Sequence, residues 1–423
     1  MARGFSRRQF LASLGAASVT RIAAPASAQA AARVVVIGGG FAGASAARAV
    51  KAADPRILVS LVESNRTFTA CPFSNLVIGG LRALSDQQFG YDKISASGIE
   101  VVFAGATGVD LEARRVALEG GTSLAYDRLI VAPGIDIRWD GLPGYTEAVA
   151  GKMPHAWKAG EQTLLLRRQL EALEDGGVVV MSVPANPFRC PPGPYERASL
   201  IAHYLKARKP KSKILILDAK DSFSKQRLFQ EAWKELYPDH LEWVALSKGG
   251  RVTSVDAATQ TLITEFGEYK AAVANVIPPQ KAGRAAELAG AVDQTGWCPI
   301  DPATFESKKS PNVHVVGDAT IAGGMPKSAF SANAQAKVCA AAVVDLLSGR
   351  TPARPKLINT CYSLVAPDYG ISVAGVYEPV NGVLTDVPGA GGVSPIEAPR
   401  AERTEEAAFA QGWFNTITAE VFG

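Results

Sequence analysis

Five cysteines, one glycine-rich loop and a few acids carry the chemistry available to this 423-residue chain. The cysteines are Cys71, Cys190, Cys298, Cys339 and Cys361. No Cys-x-x-Cys occurs, which argues against zinc ribbons and thioredoxin-type sites, and no Cys-x-x-Cys-His occurs, so the chain has no c-type haem of its own. An odd count leaves at least one cysteine without an intrachain disulfide partner. Cys190 lies between Pro187 and Pro191-Pro192, in a loop that leads into Tyr195-Glu196-Arg197 at a helix start. Cys361 follows Pro355 and is expected to open an apolar strand running to Ala366. Proline-braced loops are rigid, which suits a sulfur held at a fixed place. Two unrelated buried thiols would read the same way, and the about ten possible pairings stay open. Cys298 and Cys339 read as packing residues. The four histidines, His155, His203, His240 and His314, have no metal-ligand spacing, and His155 is read as structural.

The second chemical motif is Gly38-Gly-Gly-Phe41-Ala42-Gly43, with Gly40 at its centre. Arg33 to Gly38 reads as a short buried parallel strand, and Ala42 to Ala53 as an alanine-rich helix packed close to it. Glycines there let the backbone approach a pyrophosphate seated on the helix N-terminus. A second strand, Ile57 to Val62, ends at Glu63, twenty residues beyond Gly43, where a ribose-binding acid is expected. Two later strands end in Gly134 and in Gly317-Asp318. This ordered set looks like that of flavoproteins with two dinucleotide folds, so FAD is the expected cofactor, with Asp318 on its ribityl chain. A helix beginning near Lys327 would point its N-terminal dipole at the flavin, and Lys327 is counted among the cofactor-binding residues. Cys71, eight residues after Glu63, could bond covalently to the flavin or remain an inert thiol.

A second nucleotide fold should start at the strand Val178 to Val183, but Ser182-Val183-Pro184 stands where its glycines belong. NAD(P)H binding is therefore not expected, and Cys190 lies just beyond the gap. Ile214 to Asp218 is a further parallel strand, Phe229 to Tyr237 a helix, and Val252 to Glu268 a small antiparallel meander.

The N-terminus reads as a targeting segment. Ser6-Arg7-Arg8-Gln9-Phe10-Leu11 is a twin-arginine signature, an apolar stretch runs to Val19, and Ala26-Ser27-Ala28 supplies a cleavage site. The expected destination is a bacterial periplasm. Residues 1–28 hold four arginines and no acid, so the chain total of 44 Lys+Arg against 40 Asp+Glu falls to 40 against 40. A near-neutral mature chain is no evidence for nucleic-acid binding. No other run approaches the ~20 apolar residues that span a bilayer. Phe409, Trp413, Ile417 and Val421 fall on one helix face, but Glu405, Glu406 and Glu420 flank them, so the stripe is read as packing rather than membrane insertion.

Longer strings carry a more specific resemblance. Cys71-Pro-Phe-Ser-Asn-Leu-Val-Ile-Gly-Gly80, Pro154-His-Ala-Trp-Lys-Ala-Gly-Glu-Gln162, Pro187-Phe-Arg-Cys-Pro-Pro-Gly-Pro-Tyr-Glu-Arg197, Gly296-Trp-Cys-Pro299 and Asn359-Thr-Cys-Tyr-Ser363 resemble the flavoprotein subunit of flavocytochrome c sulfide dehydrogenase. The resemblance covers essentially all of the mature chain. It implies a disulfide-reductase-like fold and a redox disulfide between Cys190 and Cys361 beside the flavin. It also implies Glu196 as the acid near that disulfide, FAD attached through Cys71, sulfide as substrate and a c-type cytochrome as partner. The chain departs from the family pattern at Ala70 and Pro72, where Thr and Tyr are expected. Two rival functions share the chemistry: a sulfide:quinone oxidoreductase, and a flavoprotein of a thiosulfate-oxidising system acting on protein thiols or persulfides.

The expected class is α/β. After the signal at 1–28, residues 29–143 and 281–351 form an FAD domain split in sequence. Residues 144–280 form an inserted Rossmann-like fold that has lost its fingerprint, and 352–423 a C-terminal α+β interface segment. Gly389 to Pro399 is a surface loop.

Overall fold

The computed structural model describes residues 31–423, and the export signature and cleavage site lie outside the described residues. In chain order the main elements are β1 (Arg33–Ile37), α1 (Phe41–Ala53), β2 (Leu58–Glu63), α2 (Ser74–Ile78), β3 (Glu100–Phe103), β4 (Arg128–Val131), α3 (Glu161–Ala172) and β5 (Val178–Val183). There follow α4 (Gly193–Arg208), β6 (Lys213–Asp218), α5 (Gln226–Leu236), β7 (Leu241–Val244), β8 (Val273–Val276) and β9 (Val313–Val315). The chain ends with α6 (Ala329–Leu347), β10 (Leu357–Ala366), β11 (Tyr369–Val380), β12 (Val383–Asp386) and α7 (Arg400–Phe422).

Five strands form a parallel sheet in the order β9-β4-β1-β2-β3. The run Val34-Val35-Val36 at its centre is at most 1% exposed, as expected for a strand covered on both faces. Helix α1 packs on this sheet and α6 packs on α1. The strand order reverses between β1 and β4, and ligands bind such sheets at the carboxyl ends of the strands flanking that switch. A second parallel sheet, β7-β6-β5-β8, repeats the arrangement on a smaller scale. The fold is thus α/β with two Rossmann-like sheets, and the meander appears as three antiparallel strands within 252–270.

The second sheet has lost more than its glycines. Asp218 ends β6, where a nucleotide fold presents its ribose acid. Here its carboxylate is fully buried and accepts from the Tyr195 hydroxyl (2.6 Å), the Trp243 indole (3.0 Å) and the Lys220 ammonium (2.6 Å). Tyr195 stacks on Phe223 with centroids 3.5 Å apart. The fold's own side chains satisfy the acid that a ribose would otherwise use.

The C-terminal segment is an antiparallel hairpin of β10 and β11, extended by β12 and backed by α7. Cys361 does not open its strand, as expected from sequence, but lies mid-strand opposite Val373. The strand starts at Leu357 because the backbone pairs with β11 from Leu357 opposite Tyr377 onward, and Asn359 within it is 2% exposed, its amide taken up in side-chain hydrogen bonds. The loop at 389–399 is mostly exposed, with Gly392 and Val393 paired to β11. Along α7, Ile417 and Val421 are buried, Trp413 is half-buried and Phe409 is exposed. Phe414 and Phe422 bring the helix into an aromatic cluster with Phe41, Phe68, Phe73 and Phe89. No helix of the described residues is long and apolar enough to cross a membrane.

Candidate active site

A cavity of about 730 Å3 opens at the carboxyl ends of β1, β2, β4 and β9. Gly38, Gly40, Phe41 and Ala42 line one end, with Glu63, Cys71, Gly134 and Asp318 around it. No side chain caps α1 at Gly40, and its first turn holds no acid, so its N-terminal donors face the cavity uncapped. Glu63 accepts the Gly39 N–H at 2.7 Å, which ties the end of β2 to the loop. Gly43 does not line the cavity. A Cβ there would lie 1.8 Å from the Gly38 carbonyl oxygen, so its role is to let α1 approach β1. Gly134 has φ +62°, with open space where a Cβ would stand.

The opposite wall carries sulfur. Cys190 and Cys361, 171 positions apart (361 − 190), both line this cavity, and Glu196 lines it too. Cys190 has φ +57°, a left-handed conformation uncommon outside glycine. Its N–H donates to the Lys327 carbonyl and its carbonyl accepts from Gly193, both at 2.8 Å. A Cβ on Gly193 would lie 2.9 Å from the Cys190 sulfur and 3.0 Å from the Trp157 ring, so glycine makes the room this sulfur occupies. Burial, then the Glu196 charge, pushes the Cys190 thiol pKa up. Cys71 sits half-buried, its sulfur 3.9 Å from the Trp157 carbonyl oxygen.

Polar groups, most of them buried, fix this wall. Glu196 accepts from Asn75 Nδ2 (2.8 Å) and from the Leu364 N–H (2.9 Å), joining α2, α4 and β10. Burial raises its pKa, and these two bonds oppose that. Arg197, 2% exposed, donates to Asn75, Asn275 and the carbonyls of His155 and Ala156, and covers the Trp157 ring at 4.7 Å. Burial pulls its pKa down to about 9. His155 is structural: its Nδ1 accepts the Trp157 N–H at 2.9 Å, and burial followed by Arg197 depresses it to about 4.

Lys327 departs from its expected role, because it does not line the cavity. Its ammonium donates to the carbonyls of Asp318 (2.8 Å) and Thr320 (2.6 Å) and sits 4.0 Å from the centre of the Trp297 ring. Those acceptors turn it away, and Ser328, Ala329 and Phe330 present the start of α6 to the cavity instead. Cys298 and Cys339 are fully buried. Among the described residues no cluster of His, Cys, Asp or Glu could hold a metal. Sequence reading missed Trp157, Arg189, Lys225 and Asn359. Trp157 and Arg189 stand within the family-like strings, whereas nothing local marks Lys225.

A dinucleotide cradle on one side and two cysteines on the other fit a disulfide-reductase-like flavoprotein oxidoreductase. The family models match in three blocks. Residues 32–170 match pyridine nucleotide-disulphide oxidoreductase, 163–278 the central part of the sulfide dehydrogenase [flavocytochrome c] flavoprotein chain, and 353–422 the flavin-binding part of flavocytochrome c sulphide dehydrogenase. A curated flavoprotein chain of sulfide dehydrogenase [flavocytochrome c] from Chlorobaculum thiosulfatiphilum is 58% identical over 45 residues, 11% of this chain and 94% of that sequence. The chain belongs to this family. The mitochondrial sulfide:quinone oxidoreductase of Mus musculus is 23% identical over 302 residues, 68% of this chain and 65% of its own length. The solved sulfide:quinone oxidoreductase of Aquifex aeolicus superposes with a TM-score of 0.72 at 18% identity, covering 92% of both chains.

The cofactor is FAD, and the residues present fit it. Asp318 aims a buried Oδ1 with no hydrogen-bond partner at the cavity, as a carboxylate awaiting a hydroxyl donor would. The Gly38–Gly40 turn and the uncapped α1 suit a pyrophosphate, and Glu63 stands where a ribose is held.

Proposed function

We propose that the protein oxidises sulfide in the periplasm through a Cys190–Cys361 disulfide and delivers the electrons to a c-type cytochrome subunit. The observation that carries this reading is the meeting of Cys190, Cys361 and the half-buried Glu196 on one wall of the FAD cavity. The sulfide and cytochrome assignments rest on family membership and the periplasmic one on the twin-arginine signature.

The residues divide the work. Cys190 and Cys361 supply the disulfide that a hydrosulfide anion attacks, forming a persulfide on one sulfur and a thiolate on the other. Glu196, with its raised pKa, exchanges protons at that wall. Trp157 and Gly193 hold the Cys190 sulfur in place. Asp318, Glu63 and the α1 N-terminus would hold FAD, and Cys71 would anchor it through a thioether. FAD supplies acceptance of an electron pair and its release one electron at a time.

The test is the Cys190→Ser, Cys361→Ser double variant, with sulfide-dependent cytochrome c reduction as readout. The expected result is loss of activity at unchanged flavin content. Wild-type turnover in the double variant would sink the disulfide mechanism. Acid denaturation tests the Cys71 link, since covalently bound flavin stays with the precipitate and is released by Cys71→Ser. A quinone acceptor is the second reading, favoured by the exposed Phe409 one turn from Trp413, which lines the cavity. Activity with a short-chain quinone above that with cytochrome c would select it.

A further inference from the structure

Lys225 and Asn359 lie outside the roles assigned so far, and both act on one sulfur of the pair. Asn359 donates from Nδ2 to the Cys361 sulfur at 3.2 Å. Its orientation is fixed from the other end, because Oδ1 accepts from the hydroxyls of Ser328 (2.6 Å) and Ser331 (3.1 Å). Ser328 cannot turn freely either, since its oxygen also caps α6 by accepting the Ser331 N–H at 3.0 Å. An amide donor is thereby held toward the Cys361 sulfur.

Lys225 adds the charge. It is 9% exposed and left-handed (φ +61°) just before α5, and it reaches across to the hairpin. Its ammonium donates to the Cys361 carbonyl (2.8 Å), the Ser363 hydroxyl (2.8 Å) and, more weakly, the Ile371 carbonyl (3.4 Å). All three are neutral acceptors, so a buried cation stands beside Cys361 with no carboxylate bonded to it. Burial of such a group is costly unless a negative charge forms nearby. Burial brings its pKa down to about 8, and the Cys361, Glu196 and Cys190 sites oppose that fall.

Cys190 has the weaker support. Among the described residues no donor is bonded to its sulfur, and burial and Glu196 raise its thiol pKa against the smaller opposing charges of Arg189 and Lys225. The ionisable groups around the pair include Glu196 and Arg197 on α4, Lys225 before α5, Arg189 before Cys190 and Tyr377 on β11.

We propose that Asn359 and Lys225 make Cys361 the leaving sulfur of the disulfide, so that the incoming sulfur bonds to Cys190. The proposal rests on the sulfide reading for the identity of the nucleophile. A lone pair of hydrosulfide forms the new S–S bond to Cys190. The Cys190–Cys361 bond breaks, and its electron pair stays on Cys361 as a thiolate. The disulfide is reduced by two electrons and the incoming sulfur is oxidised by two. The proton stays on the new persulfide, and one negative charge is present before and after.

Two measurements decide it. In the first, FAD-loaded protein with its disulfide reduced is alkylated with iodoacetamide at pH 7, and each cysteine peptide is quantified by mass. Cys361 should react faster than Cys190. Lys225→Met or Asn359→Asp should slow Cys361 by about tenfold, the effect of one unit of thiolate stabilisation, with Lys225→Arg restoring the rate. Flavin content checks that each variant is folded. Faster alkylation of Cys190, or an unchanged Cys361 rate in both variants, would overturn the assignment. In the second, oxidised protein receives one equivalent of sulfide and is trapped by alkylation. The extra sulfur should appear on the Cys190 peptide, and finding it on Cys361 overturns the proposal. Extra sulfur on neither peptide counts against the sulfide reading, and the alkylation experiment then decides the leaving sulfur alone.

Discussion

At the scale of single residues, this site depends on space and charge around one sulfur. Gly193 has no side chain, and the Cys190 sulfur occupies the place a Cβ would crowd. Gly193→Ala is expected to cost about 1–3 kcal/mol by overpacking and to lower sulfide turnover while leaving flavin content intact. Denaturant titration and steady-state kinetics on the same variant check both halves. His155 gives a pH dependence whose sign follows from its surroundings. Its folded pKa, about 4, lies below its ordinary 6.5, so the neutral form is favoured in the folded state. The stability it contributes is therefore present above pH 6.5 and is lost as pH falls toward 4, by up to about 3 kcal/mol. Denaturation midpoints from pH 7 to 4 should fall less steeply in His155→Gln than in the parent. His314, also held near 4 by burial, adds a slope of the same sign in both proteins.

At the scale of elements, the close approach of α1 to β1 and the seating of α7 can each be separated by substitution. Gly43→Ala would force a Cβ to 1.8 Å from the Gly38 carbonyl, so α1 must move off the strand that forms the cradle. Purified Gly43→Ala protein is expected to carry little FAD, read from its flavin absorbance per chain. Helix α7 has one face in an aromatic cluster and one in solvent. Phe414, 1% exposed, should cost about 3–5 kcal/mol as Phe414→Ala. Phe409, 59% exposed, should shift stability by no more than about 0.5 kcal/mol as Phe409→Ser. Equal losses at both positions would contradict this placement of the helix. The apolar periodicity of α7 shows in the sequence, but which part of the stripe lies inside does not. That depends on Phe68 and Phe89, more than 300 positions earlier, which meet Phe422.

At the scale of the whole molecule, two nucleotide folds share one architecture but differ at the ends of their strands. In the second, Tyr195, Trp243 and Lys220 satisfy the buried Asp218. NADH and NADPH are therefore expected not to bleach the flavin absorbance of the purified protein, whereas dithionite should. Bleaching by either nucleotide would show that the second fold still binds it. The strands, the helices and the cradle were legible because they rest on local signals: β-branched runs, glycine spacing and an acid at a fixed interval. Cys190, Cys361 and Glu196 were legible as candidates because prolines and a helix start frame two of them and the resemblance names all three. Lys327 was misplaced because proximity in sequence to a helix N-terminus does not say which way a long side chain turns.

Residue order alone specified an FAD-type cradle, a second nucleotide fold without its glycines and a cysteine, Cys190, braced by prolines. Each of these is written within some thirty residues, where chain geometry leaves few choices. Only the tertiary structure decided what surrounds each sulfur. Lys225 comes from the inserted fold, Asn359 from the C-terminal hairpin and Gly193 from the start of α4, and they converge across about 170 positions of chain. A lysine in a loop normally lies in solvent. Lys225 is buried beside Cys361 because the hairpin docks against α5, and no interval along the chain encodes that meeting.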